Sequence, residues 1–418
     1  MNAPSLSNVR GRTRCRFCGG ALRPFVDLGV SPPCESFLTE RDLDGGEAFY
    51  PLDVKICEGC WLAQLGEFVP PERIFGEYAY FSSYSKAWLA HAAAYSAAMI
   101  ERFDLGPKSF VVEVASNDGY LLRNFVERDV PCLGVEPAAN VAKVAVEAGV
   151  PTEVAFFGES FAERLAASGR RADLIAGNNV LAQVPDLNDF VAGLAAALKD
   201  EGVLTLEFPH LLKLMAENQF DTIYHEHFSY FSLIAVAKIF AAHGLRVFDV
   251  EELWTHGGSL RVFGCRLAAG HAETPRVKAL LRAEEEAGLT QLSTYAQFNH
   301  RVVETKWKLL DLLMGLKRQG KRIVGYGAPG KGNTLLNYCG VRTDILDFTV
   351  DRNPYKHGRF LPGTRIPVLA PERLDAARPD YVLILPWNLR EEIVSQLSHI
   401  RGWGARFIVP IPEPAIVE

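Results

Sequence analysis

The run Phe110-Val-Val-Glu-Val-Ala115 is apolar around one acidic residue and passes straight into Ser116-Asn-Asp-Gly119 and Tyr120-Leu-Leu-Arg-Asn-Phe125. A buried strand, a glycine turn and a helix start open an α/β nucleoside-binding unit, where backbone approaches a ligand closely only if a side chain is missing. A second run, Pro131-Cys-Leu-Gly-Val135, ends in Glu136. It lies about twenty residues past the turn, the spacing at which a carboxylate takes two ribose hydroxyls. This pairing predicts an α/β fold with ligand at the carboxyl ends of the strands. The turn holds one glycine rather than G-x-G-x-x-G, which favours a phosphate-free cofactor, S-adenosylmethionine, over a dinucleotide. A Rossmann-like unit that binds NAD, or nothing, is the competing reading. The residues expected at the cofactor are Glu113, Ser116, Asn117, Asp118, Gly119, Glu136 and Pro137. Further strands at Ala172–Ala176 and Gly202–Phe208 make the sheet doubly wound, and Asn178 and Asn179 join the cofactor set at a strand's carboxyl end.

Four of the eight cysteines form two C-x-x-C pairs, Cys15/Cys18 and Cys57/Cys60, with strand-like runs around Phe25-Val26 and Asp53-Lys55 between them. Two such knuckles fill the tetrahedral shell of a structural Zn2+ and leave no position for water. Four free thiols in an apolar cluster are the alternative. Cys34, Cys132, Cys265 and Cys339 sit in apolar contexts and read as core.

The 418 residues suffice for several cores, and 44 basic against 50 acidic residues supply no electrostatic footprint for nucleic acid or an anionic membrane. No stretch approaches the roughly 18 apolar residues of a membrane span and the start lacks a secretory core, so a cytoplasmic location is expected.

The densest chemistry is Asp221-Thr-Ile-Tyr-His-Glu-His-Phe-Ser-Tyr230, too polar for core and too aromatic for a solvated loop. Tyr224, His225, Glu226 and His227 are the types that supply a general base, its orienting carboxylate and a donor to an oxyanion. A metal site and a hydrogen-bonded packed turn are the other readings. Upstream, Tyr78-Ala-Tyr-Phe-Ser-Ser-Tyr84 adds phenols and hydroxyls, with Tyr80, Ser82 and Ser83 as candidate substrate contacts. Two glycines in Trp254-Thr-His-Gly-Gly-Ser-Leu-Arg261 suit close approach by a substrate at His256 and Gly257, or merely a turn.

Residues Thr290–Lys317 read as a long amphipathic helix, and Arg322-Ile-Val-Gly-Tyr-Gly-Ala-Pro-Gly-Lys331 then repeats strand, glycine loop and helix. Loop amides at a helix N-terminus with Lys331 predict a diphosphate cradle, against a purely structural loop. Asp351 is expected to end the strand Ile345–Val350, and Tyr381–Asn388 to supply another strand end.

These residues together resemble the nucleotide-sugar C-methyltransferases of deoxysugar pathways, the family of the 3-C-methyltransferases acting on 4-keto hexoses. The likeness runs nearly end to end through the C-x-x-C pairs, Tyr-x-Tyr-x-Ser-Ser, Ser116-Asn-Asp-Gly119, Asn178-Asn-Val-Leu181, Tyr224 to His227, His256-Gly-Gly258 and Gly325-Tyr-Gly-Ala328 with Lys331. The resemblance implies a zinc-bearing domain (1–72), a methyltransferase domain (73–300) and a C-terminal Rossmann-like domain (301–418), with the sugar nucleotide between the last two. It further implies that His227 is the base and that Tyr224, Glu226 and Tyr78 lie beside the sugar; from the glycine loop and the strand end, Ala328, Lys331 and Asn388 are expected at the substrate. Gln183 stands where a family member has histidine, Ser259 where some relatives have glutamate, and the loop Ala328-Pro-Gly-Lys331 differs. The expected reaction is deprotonation beside the ketone and transfer of methyl to that carbon by a monomeric enzyme. An NAD-dependent oxidoreductase or lyase is the alternative, opposed by Glu136 and the missing triple glycine. A zinc-ribbon adaptor for nucleotide sugars leaves the Tyr-His-Glu-His cluster unexplained.

Overall fold

The computed structural model describes residues 13–71, 74 and 81–418. Compactness divides the chain into two units, each made of three sequence segments: Met1–Leu22, Cys57–His210 and Phe228–Thr290 form the first, and Arg23–Ile56, Leu211–His227 and Gln291–Glu418 the second. Strands β1 (Leu22–Ser31) and β2 (Tyr50–Cys57) lie between the two cysteine pairs in sequence.

In the first unit, β3 (Ala63–Leu65) is followed by β4 (Val111–Val114), β5 (Cys132–Glu136), β6 (Thr152–Val154), β7 (Ala172–Asn178), β8 (Leu198–Pro209), β9 (Ser229–Tyr230), β10 (Leu245–Leu253) and β11 (Ser259–Arg266). Seven of them form one sheet in the order β10-β11-β8-β7-β4-β5-β6. Neighbours from β6 through to β8 run parallel, and β11 enters antiparallel beside β8. The strand order reverses between β4 and β7, and in such sheets the ligand crevice lies at the carboxyl ends flanking that reversal.

Period-2 alternation sends Val112, Val114, Ile175, Leu204 and Leu206 into one core and Val111, Leu174, Ala176 and Val203 into the other. The second core is closed by the helix Lys86–Arg102, capped by Ser85, whose hydroxyl accepts the Trp88 amide. After Gly119 the chain makes turns rather than the expected immediate helix, and regular helix is confined to Arg123–Val126.

The second unit contains β12 (Ile323–Tyr326), β13 (Thr349–Val350), β14 (Arg359–Phe360), β15 (Pro367–Leu369), β16 (Tyr381–Ile384), β17 (Arg406–Val409) and β18 (Ala415–Val417), ordered β14-β15-β13-β12-β16-β17-β18. The five central strands are parallel and follow the same doubly wound order as the first sheet, with antiparallel edges at β14 and β18. The expected strand Ile345–Val350 is reduced to Thr349–Val350, because the amides of Ile345 and Leu346 both turn back onto the Arg342 carbonyl. The long helix is Leu292–Arg318, and Tyr295, Phe298, Val302, Thr305, Leu309, Leu313 and Leu316 make its buried stripe at three- and four-residue spacing.

The segment Leu211–His227 belongs to this unit through side-chain bonds: Asn218 Nδ2 to Thr305 Oγ1 at 2.7 Å, Thr334 Oγ1 to the Ile223 carbonyl at 2.9 Å and Trp387 Nε1 to Asp221 Oδ2 at 2.7 Å. Among the described residues no helix is long and apolar enough to cross a membrane.

Candidate active site and metal centre

In the first unit the sulfurs of Cys15, Cys18, Cys57 and Cys60 all lie within 4.8 Å of one another, with Cys15–Cys60 and Cys18–Cys57 each at 3.5 Å. Four thiolates around one tetrahedral zinc sit about 3.8 Å apart, so the set fits a closed structural Zn2+ site. The turns are built for it. A side chain at Gly20 would start 3.1 Å from Cys57 Sγ and 3.2 Å from Cys18 Sγ, and the Cys15 and Gly20 backbones are joined at 3.0 Å. Cys15, Cys57 and Cys60 also lie in the same apolar core as β4, β7 and β8, so the metal site and the sheet share their packing. Cys34, Cys132, Cys265 and Cys339 are free and buried.

The loop after β4 is held by the carboxylate that ends β5. Glu136 Oε2 accepts the Asn117 amide and Oε1 the Ala138 amide, both at 2.9 Å. Ala115, Asn117 and Gly119 take positive φ (57°, 50° and 76°), and a Cβ on Gly119 would meet Val150 Cγ2 at 2.9 Å, so glycine is required there. Ser82 and Ser83 reach this loop through backbone rather than hydroxyl: their amides donate to Asn117 Oδ1 at 2.9 Å and Asp118 Oδ2 at 3.0 Å.

Two buried oxygens of the loop, Ser116 Oγ and Asp118 Oδ1, have no partner among the described residues. Such atoms are costly unless a ligand completes them, and with Glu136 they fit the polar groups of S-adenosylmethionine. Glu113 is wholly buried, and burial drives its carboxyl well above the usual range, the neighbouring Tyr120 hydroxyl opposing that rise. Pro137 is half-buried directly after Glu136.

At the end of β7, Asn178 Nδ2 lies 3.4 Å from the Tyr120 hydroxyl. Asn179 has φ 57° and its Nδ2 lies 3.0 Å from His256 Nε2. His256 itself has φ 56° and is followed by Gly257 and Gly258 at 92° and 119°, a strained run of the kind that persists at functional sites. Beneath it Glu207 accepts Thr255 Oγ1 at 2.9 Å, Arg261 Nη2 at 2.9 Å and faces His91 Nε2 at 3.0 Å. The Glu207 group escaped the sequence reading because its members are scattered over a helix, two strands and a turn. Gln183 lies half-buried in the turn Leu181–Gln183.

In the second unit, His227 Nδ1 lies 3.2 Å from the Thr222 carbonyl. A carbonyl only accepts, so Nδ1 carries the proton and Nε2 is the basic nitrogen. The Tyr224 ring lies 4.2 Å from the His227 ring. His225 donates from Nε2 to the Tyr50 carbonyl at 3.2 Å, and burial lowers its pKa to about 4, so it is a neutral imidazole across the working range. Glu226 accepts the Cys34 thiol at 3.7 Å, and burial, followed by the charge of Glu35, pushes its carboxyl up to about 8. It is therefore a carboxylic acid at neutral pH, not the expected carboxylate partner of a histidine.

Lys331 donates to Asn388 Oδ1 at 2.9 Å and lies over the Trp387 ring at 4.7 Å, where burial lowers its pKa and Asp221 opposes that. Asp221 is fully buried, with Oδ1 unpartnered and its carboxyl raised by burial to about 6. Ala328 gives its amide to Asp351 Oδ2 at 2.7 Å. Sequence reasoning passed over two signals here. Trp387 stands next to the chosen Asn388, and Gly325-Tyr-Gly-Ala-Pro-Gly330 does spell G-x-G-x-x-G. Tyr78 and Tyr80 lie outside the described residues.

Residues 15–75 match the family model "Putative zinc binding domain", residues 88–250 "Methyltransferase domain" and residues 254–412 "C-methyltransferase C-terminal domain". Among solved structures, magnesium protoporphyrin IX methyltransferase of Synechocystis PCC 6803 is 14% identical with a TM-score of 0.34, covering 47% of this chain and 88% of that one. A methyltransferase of Mesorhizobium loti is 15% identical with a TM-score of 0.34, covering 43% and 100%. The C-methyltransferase NovU of Streptomyces niveus is 38% identical over 410 residues, 98% of each chain. With identity of that order along both chains, this protein belongs to the C-methyltransferase family and is an S-adenosylmethionine-dependent enzyme.

Proposed function

We propose that the enzyme methylates carbon beside the ketone of a nucleotide-linked 4-keto hexose, with His227 as the base. The observation that carries this reading is the His227 tautomer: the Thr222 carbonyl fixes the proton on Nδ1 and turns Nε2 into the acceptor, with the Tyr224 phenol against the same ring. A carbon next to a ketone loses its proton to a positioned imidazole when the enolate oxygen receives hydrogen bonds. Tyr224 is the donor nearest that base, and Glu226, kept protonated by burial, is a second. His225, neutral and bonded to Tyr50, orients the segment.

In the first unit Glu136, Ser116, Asn117, Asp118, Gly119, Asn178 and Asn179 hold the cofactor, and Glu113 and Pro137 shape the loop behind them. When bound, S-adenosylmethionine supplies an electrophilic methyl group. Ser82, Ser83, Gln183, His256 and Gly257 of this unit, and Ala328, Lys331 and Asn388 of the other, are assigned to the sugar nucleotide. A glutamine at position 183 orients by hydrogen bonds but shuttles no proton. The division 1–72, 73–300 and 301–418 is kept as the functional one.

The test supplies methyl-labelled S-adenosylmethionine with a panel of nucleotide-linked 4-keto sugars, and in parallel follows deuterium exchange from solvent into each sugar. Base-stable label in one of them, with exchange at the same carbon, is expected. Absence of both across the panel overturns the reading.

A further inference from the structure

Two non-glycine residues of the first unit with left-handed backbone, Asn179 at φ 57° and His256 at φ 56°, meet side chain to side chain at 3.0 Å. Such conformations are costly and persist only where the surroundings over-determine them. Here the surroundings converge on Glu207. Its backbone carbonyl accepts the Asn179 amide at 2.7 Å, and its Oε1 accepts Thr255 Oγ1 at 2.9 Å, at the head of the turn that carries His256. The Thr255 carbonyl in turn takes the Gly258 amide at 2.9 Å and Ser259 Oγ at 3.0 Å, which closes the turn on itself.

Glu207 is wholly buried on β8, opposite Arg261 on β11. Its Oε2 faces Arg261 Nη2 at 2.9 Å and His91 Nε2 at 3.0 Å, which leaves Oε1 to Thr255. Arg261 also bonds Glu251 at 2.9 Å, so it does not serve Glu207 alone. Burial on its own would raise the Glu207 carboxyl, but His91 and Arg261 outweigh it and keep the group ionised. The Asn179 carboxamide gives Nδ2 to His256, and its Oδ1 is buried without a partner among the described residues. Trp88 lies edge-on to His256 at 5.4 Å and stacked on Tyr120 at 5.9 Å, which brings aromatic rings to the same corner. A carbonyl oxygen, ring faces and a carboxylate are electronegative groups, and together they suit a cation better than a neutral ligand.

We infer that Glu207 and His256 are positioning residues for Asn179, and that its Oδ1 selects the sulfonium of S-adenosylmethionine over the neutral thioether left after methyl transfer. In the sheet, β7 flanks β4 on the side away from β5 and Glu136, so a cofactor with its ribose at Glu136 extends across the β4 loop toward Asn179. The inference rests on the assignment of Glu136 and Asn179 to the cofactor and needs nothing of the sugar. Once the methyl group has left and its bonding pair has neutralised the sulfur, the carboxamide no longer favours what remains, so product gives way to fresh cofactor.

The test is calorimetric titration of the full-length protein with S-adenosylmethionine and with S-adenosylhomocysteine, without any sugar. Asn179→Gly fits the left-handed backbone and removes the carboxamide; it is expected to weaken S-adenosylmethionine about tenfold and to leave S-adenosylhomocysteine within about twofold. Thr255→Val removes only the hydroxyl bond to Glu207, is expected to shift the ratio of the two affinities in the same direction by a smaller factor, and serves if the glycine variant folds poorly. Thr255→Ser, which keeps the hydroxyl, restores the wild-type ratio. Glu136→Gln reads the cofactor assignment itself and is expected to weaken both ligands alike; unchanged binding there faults that assignment. Equal losses of both ligands in Asn179→Gly and Thr255→Val, or no loss of either, would overturn the inference.

Discussion

The two units carry the same device and finish it differently. In each, a strand enters a loop with glycine, and the carboxylate ending the next strand accepts one amide from the loop and one from two residues past itself: Glu136 with Asn117 and Ala138, Asp351 with Ala328 and Asn353. After that the first loop still has buried oxygens, at Ser116 and Asp118, without a partner among the described residues. After the second loop Lys331 donates to Asn388 Oδ1 and Thr334 Oγ1 to the Ile223 carbonyl, both within the same unit. A buried polar atom without a partner costs about 1–3 kcal/mol, so it persists where a ligand completes it. The first loop thus leaves buried oxygens for a ligand to complete, while the Lys331 and Thr334 side chains after the second find partners in their own unit. The residues proposed for the chemistry divide along the same line: the proposed cofactor loop is in one unit and His227 with Tyr224 in the other.

The largest expected effect tests that division. His227→Asn should lower methyl transfer by about three orders of magnitude, the usual weight of a general base, while leaving S-adenosylmethionine affinity within twofold. A weakened cofactor affinity, or retained turnover, would break the separation. Next in size is the metal. Cys57→Ser should eliminate bound zinc and lower the melting temperature of the first unit by on the order of 10 °C, because the knuckles share a core with the sheet. Metal analysis and calorimetry read both, and a zinc-free variant with unchanged melting would detach the site from that core.

His225 belongs to the second unit and gives a pH signature. Its pKa falls from 6.5 to about 4 on burial, so the unfolded chain binds a proton that the folded one refuses. Stability is therefore full above pH 6.5 and declines by about 3 kcal/mol as pH falls to 4, with no further loss from this group below that. Urea midpoints at pH 7 and 4.5 should differ less in His225→Gln. If the acid loss is unchanged in the variant, another group is responsible.

Glu136→Gln removes a charged acceptor from two amides and should weaken S-adenosylmethionine binding roughly ten- to hundredfold, whereas Asp351→Asn should leave it unchanged. Equal effects from both would erase the contrast between the loops. The smallest effect concerns Glu226, held protonated up to about pH 8. If it donates to the substrate oxygen, kcat/KM falls as pH rises through about 8. Glu35→Gln removes one cause of that elevation and should move the falling limb to lower pH.

Much of this was legible in the sequence because it rests on local rules. The C-x-x-C spacing, the alternation of Val111 to Val114, the single Gly119 and the carboxylate at Glu136 each need only neighbours in the chain. Where the reading erred, local signals were outweighed. Ile345–Val350 has strand composition, yet turn bonds onto Arg342 shorten it. The G-x-G-x-x-G at Gly325–Gly330 was in plain view, but the carbonyl that takes the Asn333 side-chain amide of the following helix belongs to Cys34, 299 residues earlier in the chain.

The sequence by itself determined two doubly wound sheets, a four-cysteine knuckle pair and a Tyr-His-Glu-His segment with the residue types for proton transfer, since periodicity, glycine and ligand spacing act at short range. Only the tertiary structure decided which groups hold protons. The His227 tautomer depends on the Thr222 carbonyl, and the acidity of Glu226 on burial beside Cys34 and Glu35. Desolvation and hydrogen-bond partnership are properties of the surroundings, and those surroundings exist only after distant segments have met.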